Sequence, residues 1–317
     1  MKNEQATSQV RDSVVISEVG PRDGLQSIAA LMPTNEKIRW IKSMYEAGVT
    51  EIEVGSFVPA RSLPQMADTD VVVQHALELP GLSVVVLVPN LQGARAAIQS
   101  KAHKITVPVS VSRAHSQANV RKTPEEMIRA VRDIVHLRNT ESPTTKIEVG
   151  LSTAFGCTLQ GAVSEDDVLK LALAATEAGV DECGLSDTAG YANPAQVKRL
   201  FKRLKQEIGS HAGAAHLHNT LGLGLANCLA AYEAGVRTFD ASMGGLGGCP
   251  YAPGATGNVV TEDLAFMFQA MGVHTGIDLP KLLAARSVIE AALPDEPLYG
   301  MLAQAGIPKN FTAPTHD

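Results

Sequence analysis

The sequence predicts an α/β protein, a (β/α)8 TIM barrel with a C-terminal helical extension, and three observations carry that expectation. The first is a repeated phrase. YEAGVTEIEVGSF (45–57), TEAGVDECGLSDT (176–188) and YEAGVRTFDASMGG (232–245) each set Ala-Gly-Val ahead of a strand-like run. The glycine suits the residue just past a helix end, where a left-handed turn costs little without a Cβ. The second is the number of strand candidates, about eight, each followed by a helix candidate. The third is length: 317 residues is normal for a barrel of roughly 250 residues plus extensions. An open doubly wound sheet is the rival, but its Gly-x-Gly-x-x-Gly turn after the first strand is missing.

In chain order, the first strand candidate is VVISEVG (14–20), followed by the helix-like NEKIRWIKSMYEA with Ile38, Ile41 and Met44 at helical spacing. EIEVGSF (51–57), SVVVLVPN (83–90), HKITVPVSV (103–111) and KIEVGLSTAF (146–155) read as strands two to five. ECGLSD, AAHLHNT (214–220) and TFDAS supply the last three. The segment after about residue 260 reads as helical, broken at Pro280 and Pro294, and the tail GIPKNFTAPTHD reads as irregular. This divides the chain into a disordered segment at 1–12, a barrel at 13–290 and an extension at 291–317.

Composition narrows the function classes. A hydrophobic content of 45% with 19% charged residues describes a globular protein. The net charge of −6 argues against a nucleic-acid partner, which needs a basic surface. The start, MKNEQATSQVRD, has no apolar core, and runs such as LSVVVLV are strand-length, so no membrane segment is expected. The four cysteines show no Cys-x-x-Cys spacing and no disulfide density. A cytoplasmic, reduced enzyme is the expectation.

In such a barrel the chemistry lies at the C-terminal ends of the strands. Those ends carry Glu18, Arg22 and Asp23, then Glu53 and Ser56, Ser152 and Thr153, Asp187, and finally His216, His218 and Asn219. The strand bodies read as Val, Ile and Ala. His216 and His218 are one pleat apart and share a face, with Leu217 on the other. Two such imidazoles suit a divalent metal; the alternative is one core histidine and one surface histidine. Adding Asp23 favours oxygen-rich octahedral coordination, Mg²⁺ or Mn²⁺, over structural zinc. Arg22 presents a donor fork suited to a carboxylate or enolate oxygen, or else a surface ion pair. Asp187 equally suits a capping role. Cys249 stands on the glycine-rich strip GGLGGCPYAPGATGN (244–258), with little core to bury it.

EVGPRDGLQ (18–26), EIEVGSFVP (51–59), GLSDTAG (184–190), AAHLHNT and GGLGGCPYAPGATGNVVTEDL (244–264) together resemble the 3-hydroxy-3-methylglutaryl-CoA lyase family. That family belongs to a metal-dependent barrel group that also contains isopropylmalate and homocitrate synthases. The resemblance runs from about residue 14 to about 290, and its most specific element is the final strip. It implies that Asp23, His216, His218 and Asn258 are ligands of a divalent metal. It implies that Arg22 stabilises the enolate of departing acetyl-CoA and that Glu53 holds the catalytic geometry. Asp187 would be an acid at the substrate, and Cys249 would take part in proton transfer. Whether His216, Asp187 or a metal-bound water is the base stays open. Gln26, Ser56 and Thr153 are the remaining substrate-binding candidates.

The implied reaction is a retro-Claisen cleavage of 3-hydroxy-3-methylglutaryl-CoA, or a related 3-hydroxyacyl-CoA thioester, to acetyl-CoA and a keto acid. A homodimer or higher homo-oligomer is also implied. Departures cluster around the pocket: GCTLQG (156–161) replaces the family's GCPYEG, and HNTLG its HDTYG. The loop after the fourth strand has Gln117 and Ala118 where lysines are usual, and Gln26 is followed by Ser27, Ile28 and Ala29. These leave the acyl group open, with a citramalyl-CoA type as one alternative. A Claisen-condensing synthase is the other enzyme reading, against which the loop cysteine speaks. A non-catalytic binding module would require loss of a ligand or of Arg22, and all are present.

Overall fold

The computed structural model describes residues 12–247 and 257–314. Eight parallel strands close into a barrel in chain order: β1 Val15–Glu18, β2 Glu51–Ser56, β3 Ser83–Leu87, β4 Lys104–Ser110, β5 Lys146–Ser152, β6 Glu182–Asp187, β7 Ala212–Leu217 and β8 Thr238–Ala241. The seam is β1 against β8, with Ser17 opposite Asp240. Between the strands run α1 Thr34–Glu46, α2 Thr69–Leu77, α3 Leu91–Gln99, α4 Arg113–Val120, α5 Pro124–Glu141, α6 Glu165–Glu177, α7 Pro194–Ile208 and α8 Gly224–Glu233. After β8 come α9 Thr261–Ala270, α10 Leu279–Ala292 and α11 Met301–Ala305. The barrel and its helical extension follow the expected order. The N-terminal segment expected to be disordered lies largely outside the described residues.

Local chemistry sets the helices. The longest, α5, opens on a reciprocal capping box between Thr123 and Glu126 with Pro124 in its first turn. In α7, Val197, Leu200, Phe201, Leu204 and Ile208 fall on one face and are buried against the barrel. The three Ala-Gly-Val glycines sit just past α1, α6 and α8 with positive φ, at 95°, 95° and 99°. Pro280 begins α10 rather than ending a helix, because its missing N–H is harmless in a first turn.

The strand bodies differ from the apolar expectation on one face. Outward positions such as Ile52, Val84, Val107, Val149 and Leu185 are fully buried beneath the helices. Inward positions are polar well below the strand ends. Lys104 on β4 contacts Glu148 at 2.7 Å, Glu182 at 3.1 Å and Glu51 at 3.5 Å. Burial works against this ammonium, but the three carboxylates outweigh it and raise its pKa. No helix among the described residues is long and apolar enough to cross a membrane.

Candidate active site

The site begins where β1 ends. Residues Gly20–Gly24 form one wide helical turn, with Pro21 in its opening and Gly24 N reaching back to Val19 O at 3.5 Å. Such turns are uncommon and gather at functional positions. This one buries Arg22 and Asp23 side by side over the barrel mouth. Arg22 Nε and Nη2 both meet Glu53 Oε2 at 2.5 Å, and Nη1 meets Asp23 Oδ1 at 2.5 Å. Burial opposes the guanidinium's charge, but Glu53 and Asp23 more than restore it, so its pKa is raised. Burial would likewise lift Asp23, yet Arg22 and the two histidines hold it at about 2. Asp23 is therefore ionised at neutral pH, with Gln26 Nε2 donating to its Oδ1 at 2.9 Å.

The histidines come from the opposite side of the seam. His216 is on β7 and His218 follows its last residue, so both rings turn inward, with centroids 5.2 Å apart. His216 Nδ1 lies 3.0 Å from Asp240 Oδ2, and its Nε2 is 3.2 Å from His218 Nε2. Burial disfavours the His216 imidazolium, but the bond to Asp240 and its charge raise the pKa overall. His218 is pushed down to about 4 by burial and by the charge of His216.

Asn258 arrives from the far end of the glycine strip, bridging to His218. Its Nδ2 donates to Asp23 Oδ2 at 2.7 Å and to Leu246 O at 3.1 Å. Two glycines make that approach feasible. A Cβ on Gly247 (φ +108°) would stand 2.6 Å from Asn258 Nδ2, and one on Gly257 (φ +51°) would strike Gly245 O.

The donor atoms of Asp23, His216 and His218 lie within 4.8 Å of one another. Two observations fit a cation among them. His218 Nδ1 and Asn258 Oδ1 are buried without a hydrogen-bond partner. The two facing Nε2 atoms, 3.2 Å apart, need a proton or a cation between their lone pairs. One carboxylate, two imidazoles and one amide oxygen form a mixed set suited to a divalent cation.

A cavity of about 430 Å³ opens beside this cluster. Arg22, Asp23, Gln26, Glu53, His216 and His218 form its polar wall. Val58, Leu63, Leu87, Pro89 and Val120 form an apolar one. Three candidate residues are placed elsewhere. Ser56 lines a neighbouring pocket of about 310 Å³ toward α2 and α3. Thr153 accepts from Ser112 N at 3.0 Å and turns the chain after β5 at φ +59°. Asp187 accepts from the amides of Tyr191 (2.9 Å) and Ala192 (3.0 Å), holding the loop after β6, and burial lifts it to about 6. Its neighbours Ser186 and Thr188 line the cavity instead. Cys249 lies outside the described residues.

Sequence reading missed Asp240 and the bracing role of Glu18. Glu18 Oε1 accepts from Gly20 N and Met243 N, both at 2.9 Å, and its Oε2 accepts from Thr261 Oγ1 at 2.6 Å. That one carboxylate ties the Arg22 turn, the start of the glycine strip and α9 together. The signal for Asp240 was present in Thr-Phe-Asp-Ala, whose alternation turns Asp240 inward when Phe239 faces the helices.

The sequence and fold have close counterparts. The chain is 38% identical over 277 residues to hydroxymethylglutaryl-CoA lyase YngG of Bacillus subtilis, covering 87% of this chain and 92% of that one. It is 39% identical over 280 residues to the mitochondrial hydroxymethylglutaryl-CoA lyase of Gallus gallus, covering 88% and 93%. Among solved structures, an HMG-CoA lyase from Acinetobacter baumannii, in complex with coenzyme A and 3-methylmalate, superposes with a TM-score of 0.90 at 38% identity. That match covers 96% of this chain and 99% of the other. The HMGL-like family model spans residues 13–289, the stretch that holds every side chain of the polar wall, and the chain belongs to that family.

Proposed function

We propose that the protein is a divalent-metal-dependent lyase that cleaves 3-hydroxy-3-methylglutaryl-CoA to acetyl-CoA and acetoacetate. The observation that carries this reading is the junction of a charged, clamped Arg22 with Asp23, His216 and His218 on one cavity wall, with Asn258 hydrogen-bonded to Asp23. Family membership supports the same reaction. A bound Mg²⁺ or Mn²⁺ would supply Lewis acidity toward the substrate's 3-hydroxyl.

The protein's own groups account for the rest. As the hydroxyl proton passes to a base, with His216 the candidate on this wall, the C3–O bond becomes a carbonyl, and the C2–C3 electron pair moves onto the thioester as an enolate. Arg22 has its guanidinium fixed by Glu53 and Asp23 before substrate arrives, so it meets the developing negative charge without reorganising. Glu53 and Gln26 hold that wall in place. The enolate carbon then takes a proton, which gives acetyl-CoA, and we assign the donor role to Cys249 from the family resemblance. The same reading makes the enzyme cytoplasmic and a homo-oligomer.

Acetyl-CoA release from a panel of 3-hydroxyacyl-CoA thioesters tests this. Release from 3-hydroxy-3-methylglutaryl-CoA that stops on exhaustive chelation and returns with Mg²⁺ or Mn²⁺ is expected. Full activity after chelation overturns the metal dependence, and no release from any member overturns the lyase reading. Cys249→Ser should slow turnover with little change in metal affinity.

A further inference from the structure

We infer that Asp240 is a positioning residue for the metal centre, holding His216 in the one tautomer and ring orientation that aim Nε2 at Asp23 and His218. This rests on Asp23, His216, His218 and Asn258 being the cation's ligands.

The argument starts from register. His216 on β7 and Asp240 on β8 are directly paired residues of neighbouring strands, so their inward side chains stand side by side. Asp240 Oδ2 lies 3.0 Å from His216 Nδ1. An ionised carboxylate only accepts, so His216 must carry its proton on Nδ1 to make that bond. In the neutral ring the lone pair is then on Nε2, the atom that faces His218 Nε2 at 3.2 Å. A histidine with the other tautomer would present an N–H to the same space and could not ligate through it. His218 has no carboxylate behind it, and its Nδ1 has no hydrogen-bond partner. The centre therefore contains one imidazole oriented by a carboxylate and one that is not, and Asp240 makes the difference.

The surroundings of Asp240 argue against a role in holding the fold. Its charge favours Arg22 and a charged His216, yet it also disfavours the carboxylates of Glu53 and Glu148. Attraction and repulsion oppose each other, so neutralising Asp240 should change stability little. Outer carboxylates that orient a ligating histidine are typically worth about 10–100-fold in metal affinity.

The test compares wild type with Asp240→Asn, using the full-length protein and Mn²⁺ alone, titrated calorimetrically without substrate. The expected result is Mn²⁺ affinity lower by about 10–100-fold, with the melting temperature of the metal-free protein within about 2 °C of wild type. Nitrogen-15 spectra of the metal-free wild type, taken at a pH where His216 is neutral, should show it as the Nδ1–H tautomer. Unchanged Mn²⁺ affinity overturns the inference, as does an affinity loss matched by a loss of stability, or the Nε2–H tautomer in wild type. Because no substrate is used, a failure of acyl-CoA cleavage leaves the result standing. A wild type that does not bind Mn²⁺ overturns the cation centre and this inference together.

Discussion

The barrel interior holds two charged layers, and they are built on opposite rules. In the lower layer, Lys104 is surrounded by Glu148, Glu182 and Glu51, and among these four no buried side-chain oxygen or nitrogen lacks a partner. In the upper layer, Arg22, Asp23, Glu53, His216, His218 and Asn258 are just as tightly packed. Yet Glu53 Oε1, His218 Nδ1 and Asn258 Oδ1 are buried and unpartnered. A closed network has no valence to offer and serves the fold. Open valences held in place cost stability, and here they sit where a ligand could use them. Charge and burial alone would not distinguish the two layers; hydrogen-bond accounting does.

That contrast makes Lys104→Met the substitution with the largest expected effect on the fold. It would leave Glu148 and its neighbours facing one another in the barrel, at a cost of about 3–5 kcal/mol. Denaturant unfolding measures the loss, and Mn²⁺ affinity of the surviving folded protein should stay within about twofold. A matching loss of Mn²⁺ affinity would show that the layers act as one unit.

Arg22→Lys tests the other layer from the opposite direction. Lysine keeps the charge but cannot span Glu53 and Asp23 with a rigid fork, so turnover should fall by about 10²–10³-fold. Stability should change far less than in the Lys104 variant. Turnover within a few-fold of wild type would remove the oriented guanidinium from the mechanism.

The smallest effect is expected at Glu18, which belongs to neither layer: it is fully hydrogen-bonded yet has no cation beside it. Burial lifts its pKa from 4.5 to about 8, against three hydrogen bonds. The folded state therefore holds a proton that the unfolded chain has released. Stability should fall as pH rises from about 4.5 through about 8, by on the order of 2 kcal/mol after allowance for local relaxation. Glu18→Gln keeps an acceptor for Gly20 and Met243, makes the Thr261 hydroxyl the acceptor of an amide N–H, and should flatten that slope. An unchanged pH profile of the melting temperature would place the titration elsewhere.

Much of this was legible in the sequence. The Ala-Gly-Val phrases marked helix ends because a residue just past a helix must tolerate positive φ, a local requirement that glycine meets wherever it occurs. The spacing His216-Leu217-His218 placed both rings on one face because a strand alternates every residue. Other features depended on distant partners. Asp187 at a strand end looked equally like an acid for chemistry and a cap, and its carboxylate holds the backbone of its own loop. Ser56 and Thr153 read as pocket residues, while the cavity is lined by Ser152, Ser186 and Thr188. The turn after β5 and the register shift along β2 decide those directions. Neither is encoded by residue type alone.

The sequence by itself determined the barrel and the paired histidines through periodicity and glycine stops, and its motifs carried the family resemblance, because all of these are properties of short stretches. Only the tertiary structure decided which charges are closed against one another and which are left open. Asp240 pairs with His216 across 24 residues of chain, and Glu18 reaches Thr261 across 243. Strand register and barrel closure create those contacts, and no local pattern records them.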